Sequence, residues 1–306
     1  MSKAFNYTPW TVIEHSSKFL LTVYILTYNH EATIERTIQS VLSQKTKYPY
    51  VIKILEDCST DGTLKICEKY AAEYPEKIVL IAQPKNTKAE HSRWAKNSID
   101  TQYWCTIEGD DYWCDDLKIE TLLDALENDS SLVGAASDTL CIKEDIGKEY
   151  SLYNNGPKRI KNLNNESVHH ISYSRFQYVH TSSVIYRHIF DFKDYKLPLI
   201  DTYILYYYLS FGPIYFYNKV QSIHPMTGTG MWSSLKDYQR KFNNEYIHYN
   251  INKALDFRFD SVFSVTVKHR KQLKLLKKMF GKRFGWGTYI AFRYVSLKLK
   301  TLKDLV

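Results

Sequence analysis

The chain has 306 residues, of which 44% are hydrophobic and 15% aromatic, so it can bury a sizeable core and is not disordered by composition. Its five cysteines form no CxxC pair, which disfavours a zinc framework or disulfide scaffold, and the absence of a signal-peptide pattern or a long apolar run predicts a soluble, cytoplasmic chain. The net charge of +8 is uneven, since the last forty residues are strongly basic and the rest is close to neutral.

Strands and helices are predicted to alternate through the first 136 residues. The predicted strands are Leu20–Leu26, Tyr50–Leu55, Ile78–Ala82, Tyr103–Ile107 and Leu132–Ala136. The helices between them are predicted around Ile34–Leu42, Leu64–Ala71, His91–Ser98 and Leu117–Leu126. Such alternation implies a mostly parallel sheet with right-handed crossovers, whose ligand crevice lies beyond the carboxyl ends of the strands.

Polar clusters follow three of these strands, at Thr27–Asn29, Glu56–Asp61 and Glu108–Asp111. Three clusters at equivalent places argue for one shared site. The last holds three acids around one glycine, and carboxylates packed this tightly repel one another unless a cation lies between them. Hard oxygen ligands suit Mg²⁺ or Mn²⁺, which bind carboxylates together with substrate phosphates. Taken alone, such a cluster would more simply be interpreted as an acidic turn in solvent, and it is the company of the other two clusters that favours a site.

The pattern weakens after residue 139, and an irregular segment near the site mouth is predicted up to residue 177. The strand Val179–Arg187 is predicted to bring His180, Ser182 and Ser183 inward. The elements predicted next are the helix Thr202–Phe211 and two short strands, Ile214–Tyr217 and Val220–Ile223.

The C-terminal segment is basic and amphipathic. Twelve Lys and Arg residues lie between Lys268 and Lys303 against the single acid Asp304, so this segment carries about +11 and the remainder about −3 of the net charge. Basic amphipathic helices with Trp and Phe bind anionic membrane surfaces. A pair of terminal helices docked on the body is the alternative. No nucleic-acid module accompanies the charge, so a nucleic-acid partner is not expected.

Three motifs together resemble the inverting glycosyltransferases of family 2, which have the GT-A fold. They are LTVYILTYNHEATIERTIQSVLSQ, ILEDCSTDGT and EGDDYW, the last resembling a DxD motif with glutamate in first place. The resemblance spans Leu20 to Ser233 and implies an α/β GT-A fold, with a mostly parallel central sheet flanked by helices. We expect a glycosyltransferase domain at 1–235, with nucleotide-binding and acceptor-binding halves at about 20–115 and 116–235. A helical, basic extension is expected at 236–306.

The resemblance assigns the nucleotide base to Tyr28 and Asp57, with Thr27, Asn29 and Glu56 beside them. An aromatic face can stack on a base, and a carboxylate can accept its ring N–H. Asp61 is expected to cap the following helix rather than to contact substrate.

For the reacting end of the donor, the resemblance makes Asp110 the ligand of Mn²⁺ or Mg²⁺. Glu108 is expected near the ribose or donor sugar, and Asp111 near a metal-bound water or the acceptor. Trp113 is expected either to line the acceptor groove or to lie in the core.

The general base implied by the resemblance is Asp201, at the start of a late helix. An inverting transfer needs one such base to take the proton of the acceptor hydroxyl. Asp201 could also be a simple helix N-cap. Asp138, after the fifth predicted strand, is the rival base.

The last motif departs from the family pattern, because the arginine that contacts the diphosphate is missing from His224-Pro225-Met226-Thr227. His224 is expected either to replace it as a diphosphate or metal contact or to be a packed surface histidine. Trp232 stands where the family has a tryptophan, among the substrate-binding residues.

The resulting hypothesis is a metal-dependent transfer of sugar from a nucleotide-sugar donor, expected to be a UDP-sugar, to a hydroxyl of a growing surface glycan. The acceptor would be a lipooligosaccharide, a capsule or another lipid-linked saccharide, reached from the inner face of the membrane through the basic tail. The alternatives are a sugar nucleotidyltransferase, which would need a Gly-rich N-terminal loop that this chain lacks, and a catalytically silent membrane-associated scaffold. Self-association stays open.

Overall fold

The computed structural model describes residues 13–87, 96–143, 147–151, 166–168, 179–192, 201–226, 236–256 and 273. They divide between two compact units. The first comprises Met1–His169 and Phe176–Pro225, and the second comprises His170–Arg175 and Met226–Val306. The predicted boundary at 235 between a transferase domain and an extension stays a prediction.

Four parallel strands form one half of the central sheet of the first unit. They are β1 (Leu21–Thr27), β2 (Tyr50–Glu56), β3 (Ile78–Ala82) and β4 (Tyr103–Glu108), in the spatial order β3-β2-β1-β4. β1 is the central strand of this half, pairing with β2 from Leu21 to Thr27 and with β4 from Leu21 to Leu26. The carboxyl ends of β1, β2 and β4 therefore lie at one edge of the sheet, as the sequence predicts.

Antiparallel pairing extends the sheet beyond β4, so the sheet as a whole is mixed. The further strands are β5 (Tyr112–Trp113), β6 (Gly134–Lys143), β7 (Lys148–Ser151), β8 (Glu166–Val168), β9 (Val184–Arg187) and β10 (Ile214–Met226). The spatial order continues from β4 through β9, β6 and β10 to β5. β9 is antiparallel to both β4 and β6, and β5 is antiparallel to β10.

Three helices cover one face of the sheet: α1 (Ile34–Leu42), α2 (Thr63–Glu73) and α3 (Lys118–Asn128). Their apolar positions recur at helical spacing and pack on alternate residues of the strands, as two-residue periodicity requires. The core on this face includes Leu21, Val23, Ile25, Ile34, Ile38, Ile52, Ile54, Cys67, Cys105, Ile107, Leu122 and Leu126.

Aromatic side chains fill the other face, where β4 and β9 meet α4 (Asp201–Leu209). Trp104 is buried and donates its indole N–H to the hydroxyl of Tyr208, at 2.9 Å. Its ring stacks on Tyr186 at 5.0 Å and meets Phe192 edge-on at 5.3 Å. Buried aromatic pairs of this kind prefer stacked or edge-to-face geometry. The many aromatic residues of this part of the chain thus serve packing.

Three local predictions differ from the structure. The two short strands after residue 213 are a single strand, β10, because β10 pairs with β8 near its start and with β5 near its end. The segment after residue 139 is less irregular than predicted, since β6 continues to Lys143 and pairs with β7. The strand predicted from Val179 begins as a 3₁₀ turn at Thr181–Ser183 and becomes β9 only at Val184.

Two predicted elements fall outside the described residues. They are most of the helix at 91–98 and the basic tail, of which the structure describes only Leu273. In the second unit the structure describes one helix, α5 (Asp237–Ala254). Among the residues described here, no helix is both long enough and apolar enough to cross a membrane.

One lysine is completely buried beside the sheet. Lys118, the first residue of α3, donates to the hydroxyl of Ser137 at 2.8 Å and to the carbonyl of Ser183 at 3.2 Å. Burial lowers the pKa of this lysine to about 7, because a charged ammonium group loses its hydration there. Lys118 therefore joins β6 to the start of β9 through a side chain that loses its charge near pH 7.

The pH dependence of stability should reveal this lysine. An unfolded lysine has a pKa of about 10.4, so between pH 7 and that value the unfolded chain binds a proton that the folded chain does not. The free energy of unfolding of the native chain should therefore rise with pH in this window. That of Lys118→Met should rise less. The gap between the two free energies of unfolding should change by up to about 1.4 kcal/mol per pH unit. Urea unfolding at pH 7, 8 and 9 measures it. Lys65→Met, at an exposed position of α2, controls for the loss of a surface charge. Identical slopes in the native chain and Lys118→Met would contradict the prediction.

Candidate active site

The acidic turn after β4 is held by hydroxyl groups of α1 and of the residue before it. Thr33 and Thr37 donate to the carbonyl of Gly109 at 2.8 and 3.0 Å, and Thr37 also donates to the carbonyl of Asp111 at 2.6 Å. The space at Gly109 is closed, since a Cβ atom there would lie 2.5 Å from His30 Nδ1 and 2.7 Å from Thr27 Oγ1. Glycine is therefore required at this point, and the turn has one fixed course.

This turn separates the acids of the EGDDYW segment into different environments. Glu108 and Asp110 are partly exposed, whereas Asp111 is completely buried. A buried carboxylate needs polar partners, and two histidines supply them. His224 Nδ1 lies 2.7 Å from Asp111 Oδ1, and His180 Nδ1 lies 3.4 Å from Asp111 Oδ2.

The antiparallel half of the sheet delivers both histidines to this acid. β10 pairs with β5 so that Ile223 faces Tyr112, and the next position along brings His224 to Asp111. His180 precedes the 3₁₀ turn, where its Nδ1 lies 2.8 Å from the hydroxyl of Ser182. The two imidazole rings are 4.4 Å apart between centroids. Asp111, His180 and His224, here called the acid–histidine cluster, therefore come from three separate parts of the chain.

The groups around His224 determine its charge state. Burial lowers the pKa of His224, but the hydrogen bond to Asp111 and the negative charges of Asp111 and Asp110 outweigh that effect. The pKa of His224 therefore lies above its usual value.

The acid–histidine cluster has the composition of a divalent-cation site. Its members offer one carboxylate oxygen and two ring nitrogens within 4.8 Å of one another. The Oδ2 atom of Asp111 is buried, and although His180 Nδ1 lies 3.4 Å away, it accepts no hydrogen bond among the residues that the structure describes. Carboxylate ligands suit Mn²⁺ and imidazole ligands suit other transition metals, so the residues present fit a divalent transition-metal ion.

On the nucleotide side, the loops after β1 and β2 are joined by hydrogen bonds. Asn29 has a left-handed backbone, with φ of 56°. Its N–H donates to Ser59 Oγ at 2.9 Å, and its side-chain oxygen accepts from the N–H of Thr60 at 2.8 Å. Asn29 therefore holds the two loops together, a positioning role beside its predicted contact with substrate.

Glu56 is also a positioning residue in this geometry. It is completely buried, and its carboxylate accepts from the N–H groups of Cys58 at 3.1 Å and Ser59 at 2.6 Å. These bonds turn the chain at Cys58, whose φ is 61°. Direct contact between Glu56 and a nucleotide would require these bonds to break.

The two residues predicted to bind the base differ in exposure. Tyr28 is 41% exposed at the end of β1, as a stacking ring would need to be. Asp57 is largely buried, and its Oδ1 accepts from both the N–H and the hydroxyl of Thr87, at 2.7 and 2.9 Å. Thr27 is buried, with its hydroxyl 3.2 Å from His30 Nδ1.

Asp61 behaves as expected of a structural residue at a helix start. Its Oδ1 accepts from the N–H and hydroxyl of Thr63 at the beginning of α2, at 3.0 and 2.6 Å. Its Oδ2 accepts from the N–H of Glu31 at 3.1 Å, which adds another link between the two loops.

Trp113 lies in the core, the second of the two places predicted for it. It is only 4% exposed, and its indole N–H donates to the carbonyl of Ser182 at 2.8 Å. Contact with an acceptor would require this ring to leave its position. In the structure it packs in the core and binds the backbone of the 3₁₀ turn that follows His180.

The candidate bases occupy different settings. Asp201 is the first residue of α4 that the structure describes, one position before the predicted helix Thr202–Phe211, and only its backbone is described. Asp138 is buried inside β6, where it accepts from the N–H of Thr139 at 2.8 Å and from the hydroxyl of Ser151. These bonds make Asp138 a poor proton acceptor for a substrate. Trp232 lies outside the described residues.

The sequence predicts that His180 points inward but assigns it no role. Its membership of the acid–histidine cluster depends on pairing between strands far apart in the chain, which spacing alone does not reveal. The only local signal is its place before two buried serines, Ser182 and Ser183.

Comparison with known proteins identifies the family. The model of the family described as Glycosyl transferase family 2 matches residues 22–188, more than half of the chain. An uncharacterized protein of Mycobacterium tuberculosis is 26% identical over 226 residues, covering 72% of this chain. The chain spans 63% of the length of that relative. The dTDP-rhamnosyl transferase RfbG of Shigella flexneri is 32% identical over 105 residues, covering 33% of this chain and 36% of RfbG.

Solved structures agree on the fold. The mannosyltransferase PcManGT from Pyrobaculum calidifontis, in complex with GDP-Man and Mn²⁺, superposes with a TM-score of 0.53 at 14% identity, covering 97% of this chain and 91% of its own. S. aureus TarS 1–349, in complex with UDP-GlcNAc, gives a TM-score of 0.52 at 16% identity, covering 79% and 73%. The fold is GT-A-like, with a mixed central sheet flanked by helices. From its sequence match and its fold, the chain belongs to glycosyl transferase family 2.

Proposed function

We propose that the chain is a metal-dependent, inverting glycosyltransferase that moves a sugar from a nucleotide-sugar donor to a hydroxyl of a growing surface glycan. The observation that carries this proposal is the acid–histidine cluster beside Asp110, at the carboxyl edge of a family 2 sheet. The segment Glu108–Trp113 then acts as the family's DxD motif, with glutamate in first place. A silent scaffold would have no need of a buried carboxylate faced by two histidines.

The donor side of the proposal uses the joined loops after β1 and β2. Tyr28 stacks on the base, and Asp57, fixed by Thr87, accepts from the base or orders the loop around it. The donor class to test first is a UDP-sugar, with GDP-mannose and dTDP-rhamnose beside it, because relatives and neighbours differ in the nucleotide that their names carry. Turnover of one of these with Mn²⁺ would support the proposal, and inactivity with every nucleotide sugar and acceptor would count against it.

The glycan side rests on the relatives. RfbG is a rhamnosyl transferase, and TuaG of Bacillus subtilis, 34% identical over 108 residues, is a putative teichuronic acid biosynthesis glycosyltransferase. A cell-surface polysaccharide or lipid-linked saccharide is therefore the acceptor class we propose.

For the cation, we propose Asp110 together with the acid–histidine cluster as the holding residues. His224 takes the place of the arginine that the family's last motif would supply. It lies in the corresponding run of this chain, and its imidazole can be either cationic or metal-binding. A divalent cation bound there would supply positive charge to the diphosphate that leaves. Asp111 keeps His224 oriented through Nδ1.

Removing these ligands should weaken metal-dependent binding of the nucleotide. Asp110→Ala and His224→Ala should each reduce Mn²⁺-dependent affinity for the nucleoside diphosphate by roughly 10- to 100-fold, the usual weight of a metal-site residue. Isothermal titration with and without Mn²⁺ measures this. Asp116→Ala, which removes a nearby surface acid paired with Lys45, is the control and should leave the affinity unchanged. Equal affinity in Asp110→Ala and the native chain would show that the cation binds elsewhere.

In the transfer itself, the acceptor oxygen bonds to the anomeric carbon as the bond from that carbon to the diphosphate oxygen breaks. The acceptor hydroxyl loses its proton in the same step, and we propose Asp201 as the group that receives it. The place of Asp201 in the first described turn of α4 supports this assignment. The occupied oxygens of Asp138 speak against the rival.

Asp201→Asn should leave donor affinity intact but lower turnover by roughly 10²- to 10⁴-fold, the usual contribution of one general base. The amide has nearly the same shape and still permits helix capping. Asp138→Asn, checked for folding by its donor affinity, should lose far less turnover. The product should also carry the inverted anomeric configuration. Full activity of Asp201→Asn, or a retained configuration, would overturn the assignment.

For the basic tail, we propose attachment to the anionic inner face of the cell membrane. About +11 of charge on residues 268–304 should attract such a surface at roughly 1 kcal/mol per nearby basic residue. Co-sedimentation with phosphatidylserine vesicles should fall when residues 268–306 are deleted, and also in the full-length variant Lys277→Glu/Lys278→Glu. Undiminished sedimentation of both variants would show that the tail does not bind the membrane.

A further inference from the structure

The strand β3 lies at an open edge of the sheet. Among the strands that the structure describes, it begins the spatial order and has β2 as its one neighbour. Its five residues, Ile78–Ala82, are all apolar. Val79 is 44% exposed, and Ala82 is exposed as well. Proteins commonly protect such an edge with a charged residue, a proline or a bulge, and β3 has none of these within its length.

The hydrogen bonds between β3 and β2 show which backbone groups of β3 face the open edge. The carbonyl of Lys77 accepts from the N–H of Ile52, and the N–H of Gln83 donates to the carbonyl of Glu56. Because the backbone groups of successive strand residues point to opposite sides, every second residue from Lys77 to Gln83 faces β2. The residues between them face the open edge, and these are Ile78, Leu80 and Ala82.

One of these outward groups is already used within the chain. The N–H of Ile78 donates to the carbonyl of Tyr74, at 2.8 Å. The N–H groups of Leu80 and Ala82 and the carbonyls of all three residues have no hydrogen-bond partner in the part of the chain that the structure describes. Such a row of free groups is a template for a further strand.

This row is complementary to itself about Leu80. If two copies of β3 run antiparallel with Leu80 opposite Leu80, all five residues of each strand are paired, whereas any shift leaves residues of β3 unpaired. The two leucines exchange a pair of N–H···O bonds, as opposite residues of this kind do. The N–H of Ala82 in each copy then meets the carbonyl of Ile78 in the other, which adds two more bonds. The occupied N–H of Ile78 therefore does not prevent the pairing.

The charges at the two ends of β3 match in the same orientation. Glu76 precedes the strand and Lys85 follows it, and both are exposed. Glu76 lies 3.7 Å from Lys18, itself exposed, and Lys85 makes no ion pair with any described residue. Antiparallel pairing brings the start of one strand to the end of the other, so Glu76 of each copy comes beside Lys85 of the second. Parallel pairing would instead bring like charges together, which opposes association.

We propose that β3 forms the contact of a two-fold dimer, in which the sheets of two copies of this chain join edge to edge by antiparallel pairing about Leu80. A second copy is the occupant because the free backbone groups and the flanking charges complement themselves. The carboxyl edges of the two sheets then face opposite directions, so each candidate active site is built from one chain. A contact centred on one short strand belongs to the small, transient class of interfaces, and we expect a micromolar dissociation constant.

Sedimentation velocity of the full chain across the micromolar range tests the proposal. The native chain should pass from monomer to dimer as its concentration rises. Val79→Lys puts a charge on the exposed part of β3 and should raise the dissociation constant roughly 10-fold or more, since a lysine on an edge strand opposes pairing. Leu117→Lys is the matched control, because Leu117 is another exposed apolar residue, 48% exposed before α3. It should leave the dissociation constant unchanged.

Reversing the charges tests the orientation of the two strands. Glu76→Lys should weaken the dimer, because two lysines then meet at each end of the contact. The double variant Glu76→Lys/Lys85→Glu should restore the native dissociation constant, since opposite charges meet again. Failure of the double variant to recover any of the affinity lost in Glu76→Lys would contradict the antiparallel arrangement.

A disulfide tests the register. The Cα atoms of a hydrogen-bonded antiparallel pair are about 5.5 Å apart, which a disulfide can span. Leu80→Cys, in a Cys114→Ser background that removes the exposed native thiol, should give a covalent dimer with oxidised glutathione. Leu117→Cys in the same background should not.

Two results would overturn the proposal. One is a native chain that stays monomeric at every concentration, and the other is a dimer that Val79→Lys leaves intact and Leu80→Cys does not cross-link. If Val79→Lys fails to fold, the cross-linking of Leu80→Cys decides the question. Because no sugar transfer is measured, failure here does not bear on the glycosyltransferase proposal.

Discussion

The architecture of the site depends on how one backbone turn is held in place. Gly109 turns the chain where no Cβ atom would fit, and the hydroxyls of Thr33 and Thr37 hold the carbonyls on either side of Asp110. Because these bonds fix the backbone, the neighbouring acids Asp110 and Asp111 lie in different environments: Asp110 is partly exposed and Asp111 is buried. The histidines, the second half of the sheet and the loops of the nucleotide side are all arranged around this turn.

The two halves of the sheet make different contributions to the candidate site. The parallel half supplies the edge at which the polar loops gather, which is the usual place for a ligand in such sheets. The antiparallel half brings His180 and His224 back to the same edge from distant parts of the chain. Lys118 and Trp113 hold the segment that leads into β9 by donating hydrogen bonds to the carbonyls of Ser183 and Ser182, respectively. A parallel sheet alone would have left Asp111 without a partner.

The sequence predicts the parallel half well because its signals are local. β3 and α1 have the predicted bounds, and β1, β2 and α2 differ from the predicted bounds by a residue or two. The signals for these elements, apolar periodicity and strand-end polar residues, lie within a few positions of one another. The prediction of two strands in place of β10 is wrong at Asn218 and Lys219. This exposed polar pair resembles a turn in sequence, but the strand continues through it in the structure. The acid–histidine cluster could not be assembled from sequence, because strand register decides which side chains meet. Glu56 shows the same limit, since only the structure reveals that both its oxygens hold the loop.

The hydrogen bonds between the loops after β1 and β2 affect how tightly the site can hold a ligand. Asn29, Ser59, Thr60 and Asp61 fasten the loops to each other without any strand pairing between them. Fixing each loop residue costs conformational entropy on the order of 1–2 kcal/mol. Here that entropy is lost when the chain folds, before any ligand arrives, so the affinity of the crevice is not reduced by ordering its own walls. The walls of the proposed nucleotide site are thus ordered in advance, and Tyr28, which stays exposed beside them, is the side chain we propose for telling one ligand from another.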